Sequence, residues 1–205
     1  LVRFPGRVAA GSVSNEIISH QDWFPTFLAA AGEPDIAEKL KKGHKAGDRT
    51  FKVHLDGFNL LPHLTGKEAT SPRKMFVYFT DDGDVAALRY DNWKMMFMEQ
   101  RVEGTLKIWQ EPFVTLRAPH IFNLRLDPYE HSQITSNTYY DWMFHKIYML
   151  VPAQVLVGQF LATFKDFPPR QKAASFSPPC SCTRFTIALP LPCGPTSGIS
   201  WTFSQ

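Results

Sequence analysis

KMFVYFTDDGDVAALRYDNWKMMFM, Lys74 to Met98, decides how this chain folds. Three runs, Lys74–Thr80, Asp84–Tyr90 and Asn92–Met98, are rich in aromatic and β-forming residues that suit a half-buried pleated surface. Asp82-Gly83 separates the first pair and Asp91-Asn92 the second. Both dipeptides tolerate positive φ, as tight hairpin turns require. The pattern predicts an antiparallel meander. "HIFNLR", His120–Arg125, supplies a fourth strand, and "LDPYE", Leu126–Glu130, turns the chain away from it.

Such a sheet needs one face covered. Trp142, Phe144, His145 and Tyr148 fall in a helical stretch, and Ile147 to Phe164 then runs without a charge between Lys146 and Lys165. A membrane span needs about 20 apolar residues. Here Pro152, Gln154, Gly158 and Gln159 interrupt the run, and Pro152 removes a backbone donor. The expectation is a buried helix from about Pro152, with Val155, Leu156, Gln159, Phe160 and Thr163 at helical spacing, and no membrane.

"ISHQDWFPTFLAAAG", Ile18–Gly32, places Ser19, His20 and Asp22 close together. A nucleophilic triad draws its members from distant chain positions that converge in space, whereas these share one turn. Asp22 suits a helix N-cap, Pro25 is tolerated in the first turn, and Gly32 with Pro34 ends the helix. The reading is a capped helix over residues 22–32 that buries Phe24, Phe27, Leu28 and Ala31. "LVRFPG", Leu1–Gly6, reads as a strand, and a chain that starts so is expected to be a C-terminal piece of something longer. It has no signal-peptide pattern.

Composition bounds the function. At 205 residues, with 44% apolar and 20% charged, the chain fits one globular domain or one domain with a tail. Its net charge of +3 is small, and the longest basic cluster, Lys39–Lys45, follows Glu38 and reads as a solvated helix end. Nucleic-acid binding is therefore not expected. "TDDGD", Thr80–Asp84, lacks the spacing of a calcium loop, and no paired-histidine, Walker or GxGxxG motif occurs. All three cysteines, Cys180, Cys182 and Cys193, lie in a Pro- and Ser-rich tail whose one charge is Arg184. That tail reads as a shifted frame or foreign sequence and is expected to be disordered.

With these residues in place, a family resemblance appears. Pro5, Gly6, Val8, Gly11 and Val13, followed by Ser19, Asp22, Pro25, Thr26, Phe27, Leu28, Ala31 and Gly32, resemble the end of the sulfatase catalytic domain. "LDGFNLLPHLTGK" (Leu55–Lys67), "ALRYDNWKMMF" (Ala87–Phe97) and "IFNLRLDPYEHSQI" (Ile121–Ile134) resemble the elements that follow in that family, in order.

The resemblance implies an α/β sulfatase-like fold of the alkaline phosphatase superfamily, with a large mixed sheet and a small C-terminal antiparallel sheet covered by helices. It divides the chain into residues 1–48, the end of the catalytic domain, residues 49–172, the sheet subdomain, and the atypical tail, 173–205. It also implies hydrolysis of sulfate esters by a formylglycine and a calcium ion. The C/S-x-P-x-R motif that yields formylglycine is absent, and Ser71-Pro72-Arg73 lacks its spacing. No catalytic residue or metal ligand is therefore assigned here. Both would lie on a preceding catalytic portion, the expected partner, and the segment alone is expected to be inactive. The family would place the loop Glu99–Val114 over the active-site mouth, where Arg101 and Lys107 would meet the anionic sulfate ester and Trp109 its organic part. A related phosphate or phosphonate ester hydrolase and a non-catalytic interaction module are the alternatives. The compartment stays open; the family fits a periplasmic or secreted location.

Overall fold

A computed structural model describes residues 1–102, 104 and 106–169. The tail and its cysteines lie outside the described residues. In chain order come α1 (Trp23–Ala30), α2 (Ile36–Lys42), the hairpin β1 (His44–Ala46) and β2 (Arg49–Phe51), and the single turn α3 (Leu61–Leu64). Strands β3 (Met75–Phe79), β4 (Val85–Tyr90), β5 (Trp93–Gln100) and β6 (Phe113–Asn123) follow. Helices α4 (Ser132–Thr135), α5 (Tyr139–His145) and α6 (Leu150–Ala162) close the described chain.

The meander is present, antiparallel in the order β3-β4-β5-β6. Asp91 takes φ +48° in the second turn and Gly83 +89° in the first, the left-handed conformations those residues were chosen for. The fourth strand begins at Phe113 rather than His120. Its register jumps from Met96↔His120 to Met98↔Thr115, and Pro119, which has no N–H to give, sits in that irregular stretch.

Pairing places Val77 opposite Leu88, Leu88 opposite Met95 and Met95 opposite Ile121, so one buried row crosses all four strands. Tyr139 and Met143 of α5 and Ala153 of α6 join the same core cluster. Trp142 stacks on Trp93 at 6.1 Å, and Phe160 meets Phe79 at 5.9 Å. The outer edge of β6 is closed by a side chain. The Tyr139 hydroxyl accepts from the Ile121 N–H at 3.2 Å and donates to the Ile121 carbonyl at 3.1 Å. It satisfies both groups of an edge residue that a sheet would otherwise leave open.

The covering helix corrects the sequence reading. It starts at Leu150, with Pro152 in its first turn, and packs through Leu150, Ala153, Leu156, Val157 and Phe160. Val155 and Gln159 face outward. Within the run Ile147–Lys165 Ala153 alone is fully buried, so the helix covers the sheet with one face and leaves the other exposed. By length and composition alone that run could cross a membrane.

The N-terminal segment departs further from expectation. Leu1–Gly6 is no strand: Arg7 and Val8 donate back to the Phe4 carbonyl, and Gly6 takes φ +76°. Pro5 and Gly6 favour that turn, and among the described residues no strand pairs there. Helix α1 exists, but its buried side is Pro25, Thr26 and Ala29, whereas Phe24 and Phe27 stand 53% and 65% exposed.

Asp22 explains the inversion. It does not cap α1 with its carboxylate. Instead Oδ2 accepts from the Ser19 N–H at 2.8 Å and from Arg73 Nε at 2.7 Å, while Oδ1 accepts from the Phe58 N–H at 2.8 Å and from Arg73 Nη2 at 2.5 Å. Asp22 is fully buried and Arg73 3% exposed. The same guanidinium donates to the carbonyls of Met75 and Asp56, and its carbon lies 4.9 Å from the Phe58 ring centre. Thr26 accepts from the Leu60 N–H at 2.9 Å. The loop from Asp56 to Leu60 is thereby drawn against α1 so closely that a Cβ on Gly57 would sit 2.0 Å from the Gln21 carbonyl oxygen.

Removing one partner of a buried ion pair leaves the other charge stranded, so Arg73→Ala should lower stability by about 3–5 kcal/mol in urea unfolding. A change below about 1 kcal/mol would show the pair to be dispensable. Burial pushes the Tyr139 phenol up to about 12. A raised folded value means that the stabilisation is complete below about pH 10, the unfolded value, and is lost as pH climbs from there to about 12. Tyr139→Phe should abolish that alkaline step and cost about 1–3 kcal/mol at neutral pH through the two unpaired Ile121 groups.

Candidate functional site

Strand β4 pairs with β5 only as far as Ala87↔Met96, while β5 continues to Gln100 alongside β6. The end of β5 and the start of β6 therefore form a two-stranded arm, and the described residues 101, 102, 104 and 106–112 of the loop ride on its tip. This trims the sequence-based loop, since Glu99 and Gln100 belong to β5 and Phe113 and Val114 to β6. The loop folds over a 3-10 turn, Leu106–Trp109, with the Gln110 and Glu111 N–H groups donating to the Lys107 carbonyl.

Gln100 anchors it. Its amide nitrogen donates to the Ile108 carbonyl at 2.6 Å and to the Glu111 carbonyl at 2.7 Å. Sequence reading missed this residue, because an amide at a strand end carries no pattern. Of the expected site residues, Arg101 opens the loop and Lys107 and Trp109 lie on the turn. Arg101 is exposed, and its Nε sits 2.7 Å from Glu99 Oε1, so part of its charge is already matched. Trp109 is 86% and Leu106 84% exposed, with Ile108 between them half-exposed. The tip is thus an apolar knob beside a cation.

Elsewhere Asp22, Ser71, His54 and His120 are committed to structure. Both Asp22 oxygens are occupied, and neither is offered to His20. Ser71, next to Pro72-Arg73, is buried with its hydroxyl donating to the Ile17 carbonyl at 2.9 Å and its N–H to Glu16 at 2.9 Å. His54 Nδ1 pairs with Asp56 Oδ1 at 3.1 Å in a cleft of about 520 Å³, where the Thr163 hydroxyl donates to the Phe160 carbonyl instead of facing the imidazole. Burial holds His120 below the ordinary histidine range, and its ring packs among Phe122, Tyr139 and Tyr140. Among the described residues no three His, Cys, Asp or Glu side chains gather as a metal-ligand set. The described residues do not fit the calcium that the family resemblance implies, nor does Ser71 fit a formylglycine precursor.

The comparisons agree with the fold. The crystal structure of PsFucS1 sulfatase from Pseudoalteromonas sp. is similar, with a TM-score of 0.55 and 22% identity, over 81% of this chain and 30% of that one. At that identity the likeness speaks for the fold, and the chain spans less than a third of that sulfatase's length. None of the curated proteins matches. The family model described as the C-terminal region of aryl-sulfatase matches residues 71–182. That match takes in more than half of the sequence, including the whole meander, and the chain belongs to the family of sulfatase C-terminal regions.

Proposed function

We propose that this chain is the substrate-facing C-terminal part of a sulfuric ester hydrolase of the arylsulfatase type. The nucleophile and the calcium ligands belong to a preceding catalytic portion, and the segment turns nothing over by itself. The loop 101–112 leans over that portion's active-site mouth. Arg101 and Lys107 draw in the anionic sulfate ester, and Trp109 packs on its organic part.

The observation that carries this reading is the exposed knob on an anchored arm inside the family-matched region. Gln100 fixes the loop backbone, yet Trp109 and Leu106 stand 86% and 84% exposed among the described residues. Large apolar side chains held outward by a fixed backbone gain free energy when a ligand or partner covers them. The exposed Phe24 and Phe27 on α1 support the second half of the proposal, since they offer a face for the catalytic portion.

In the intact enzyme, Trp109→Ala or Arg101→Ala should raise KM for a sulfated chromogen about tenfold and leave kcat within about twofold. Unchanged kinetics in both variants would remove the loop from the substrate path. Faster turnover of the phosphorylated chromogen than of the sulfated one would transfer the protein to the phosphate ester hydrolases. For the isolated chain, Phe24→Ser/Phe27→Ser should reduce aggregation in light scattering without loss of thermal stability, because both rings are exposed. Equal aggregation of parent and variant would show that α1 is no docking face.

A further inference from the structure

Ser14 and His63 lie 49 residues apart in sequence and meet in space, with Oγ 2.9 Å from Nε2. Ser19, His20 and Asp22 share one turn and show no such convergence. A serine and its base drawn together from distant segments is the arrangement that nucleophilic catalysis asks for.

The tautomer of His63 follows from its other nitrogen. Nδ1 lies 3.3 Å from the Glu68 carbonyl oxygen, and a carbonyl only accepts. Nδ1 therefore carries the proton, Nε2 presents its lone pair, and the Ser14 hydroxyl donates to it. The chain reversal after α3 puts that carbonyl in place. Gly66 takes φ +75°, and the N–H groups of Lys67 and Glu68 both donate to the Pro62 carbonyl, at 2.9 and 3.2 Å. The Glu68 carbonyl thus orients His63 as a carboxylate orients the histidine of a serine hydrolase.

The serine is held from its own side. The Glu16 N–H donates to Ser14 Oγ at 3.3 Å. Glu16 Oε2 accepts from the Ser71 N–H and the Ile17 carbonyl from the Ser71 hydroxyl, each at 2.9 Å, so the chain just after Ser14 is tied to a buried residue. The Ser71 N–H also holds the Glu16 carboxyl below its ordinary range, and the resulting anion is within electrostatic reach of His63, where it favours an imidazolium. Ser14 is exposed among the described residues. Its O–H is given to His63 and one lone pair to the Glu16 N–H, which leaves the second lone pair for an electrophile.

We propose that Ser14 is a nucleophile towards small activated acyl esters, with His63 as its general base. The Ser14 oxygen bonds to the acyl carbon, and the aryloxide leaves with the electron pair of the broken C–O bond. The Ser14 proton passes to His63 Nε2, which hands it on to the aryloxide. One acyl group is taken up per chain. No sulfate ester takes part, so this reactivity is independent of the sulfatase reading.

The test is acetylation of the full chain by 4-nitrophenyl acetate at neutral pH, read by fragment mass spectrometry of the peptide that carries Ser12, Ser14 and Ser19. Ser12 is the internal reference. It is also exposed, but its hydroxyl donates to the Ala9 carbonyl at 2.8 Å, which is no base. General-base assistance contributes about 10²–10⁴-fold, so Ser14 should be acetylated at least about a hundredfold faster than Ser12. His63→Gln keeps an acceptor for the hydroxyl and removes the base, and should bring Ser14 down to the rate of Ser12. The ratio within the parent chain needs no variant to fold. Equal rates at Ser12 and Ser14 in the parent, or an undiminished Ser14 rate in His63→Gln, would each overturn the proposal.

Discussion

The buried pair of Asp22 and Arg73 is the constraint on which the remaining architecture depends. A carboxylate and a guanidinium withdrawn from water are costly unless every oxygen and N–H finds a partner. Here the carboxylate accepts from Ser19, Phe58 and Arg73, and the guanidinium also reaches the carbonyls of Asp56 and Met75. Three separate segments are thereby held in one geometry. An arginine suits this role better than a lysine, because its planar fork serves two oxygens and two carbonyls at once. The pair also fixes which way α1 faces, and so which aromatic rings are left for another partner.

The meander was legible because its information is local. Alternating apolar residues and turn dipeptides state the strands within a window of 25 residues, and the buried row Val77, Leu88, Met95 and Ile121 follows from pairing. The orientation of α1 was not legible. Periodicity selects the bulkiest side chains as the buried face, and Phe24 and Phe27 are the bulkiest. What overrides them is the pull on Asp22 from a residue far along the chain. The fourth strand starts earlier than the sequence pattern suggests, because β6 takes up extra residues, Pro119 among them, between Met96↔His120 and Met98↔Thr115 and pairs on beyond them.

At the candidate site, position was legible and mechanism of attachment was not. The loop between the last two strands was found at the sequence level, with Arg101, Lys107 and Trp109 on it. The arm that lifts it arises from unequal strand lengths: β5 outruns β4, and only β6 follows. Two-stranded ribbons twist more strongly than wide sheets, so the tip is carried away from the sheet plane. Gln100 then fixes a short turn that would otherwise lose backbone entropy for no return.

The separation of Asp22 from Arg73, 51 residues, also has a consequence for birth on the ribosome. At about 5–20 residues per second, the aspartate leaves the exit tunnel roughly 3–10 s before its arginine. During that interval the α1 segment has no guanidinium to lock against, and its carboxylate stays hydrated. The sheet, built from neighbours in sequence, closes quickly once translated. The N-terminal segment is therefore clamped from behind, by a residue made after it.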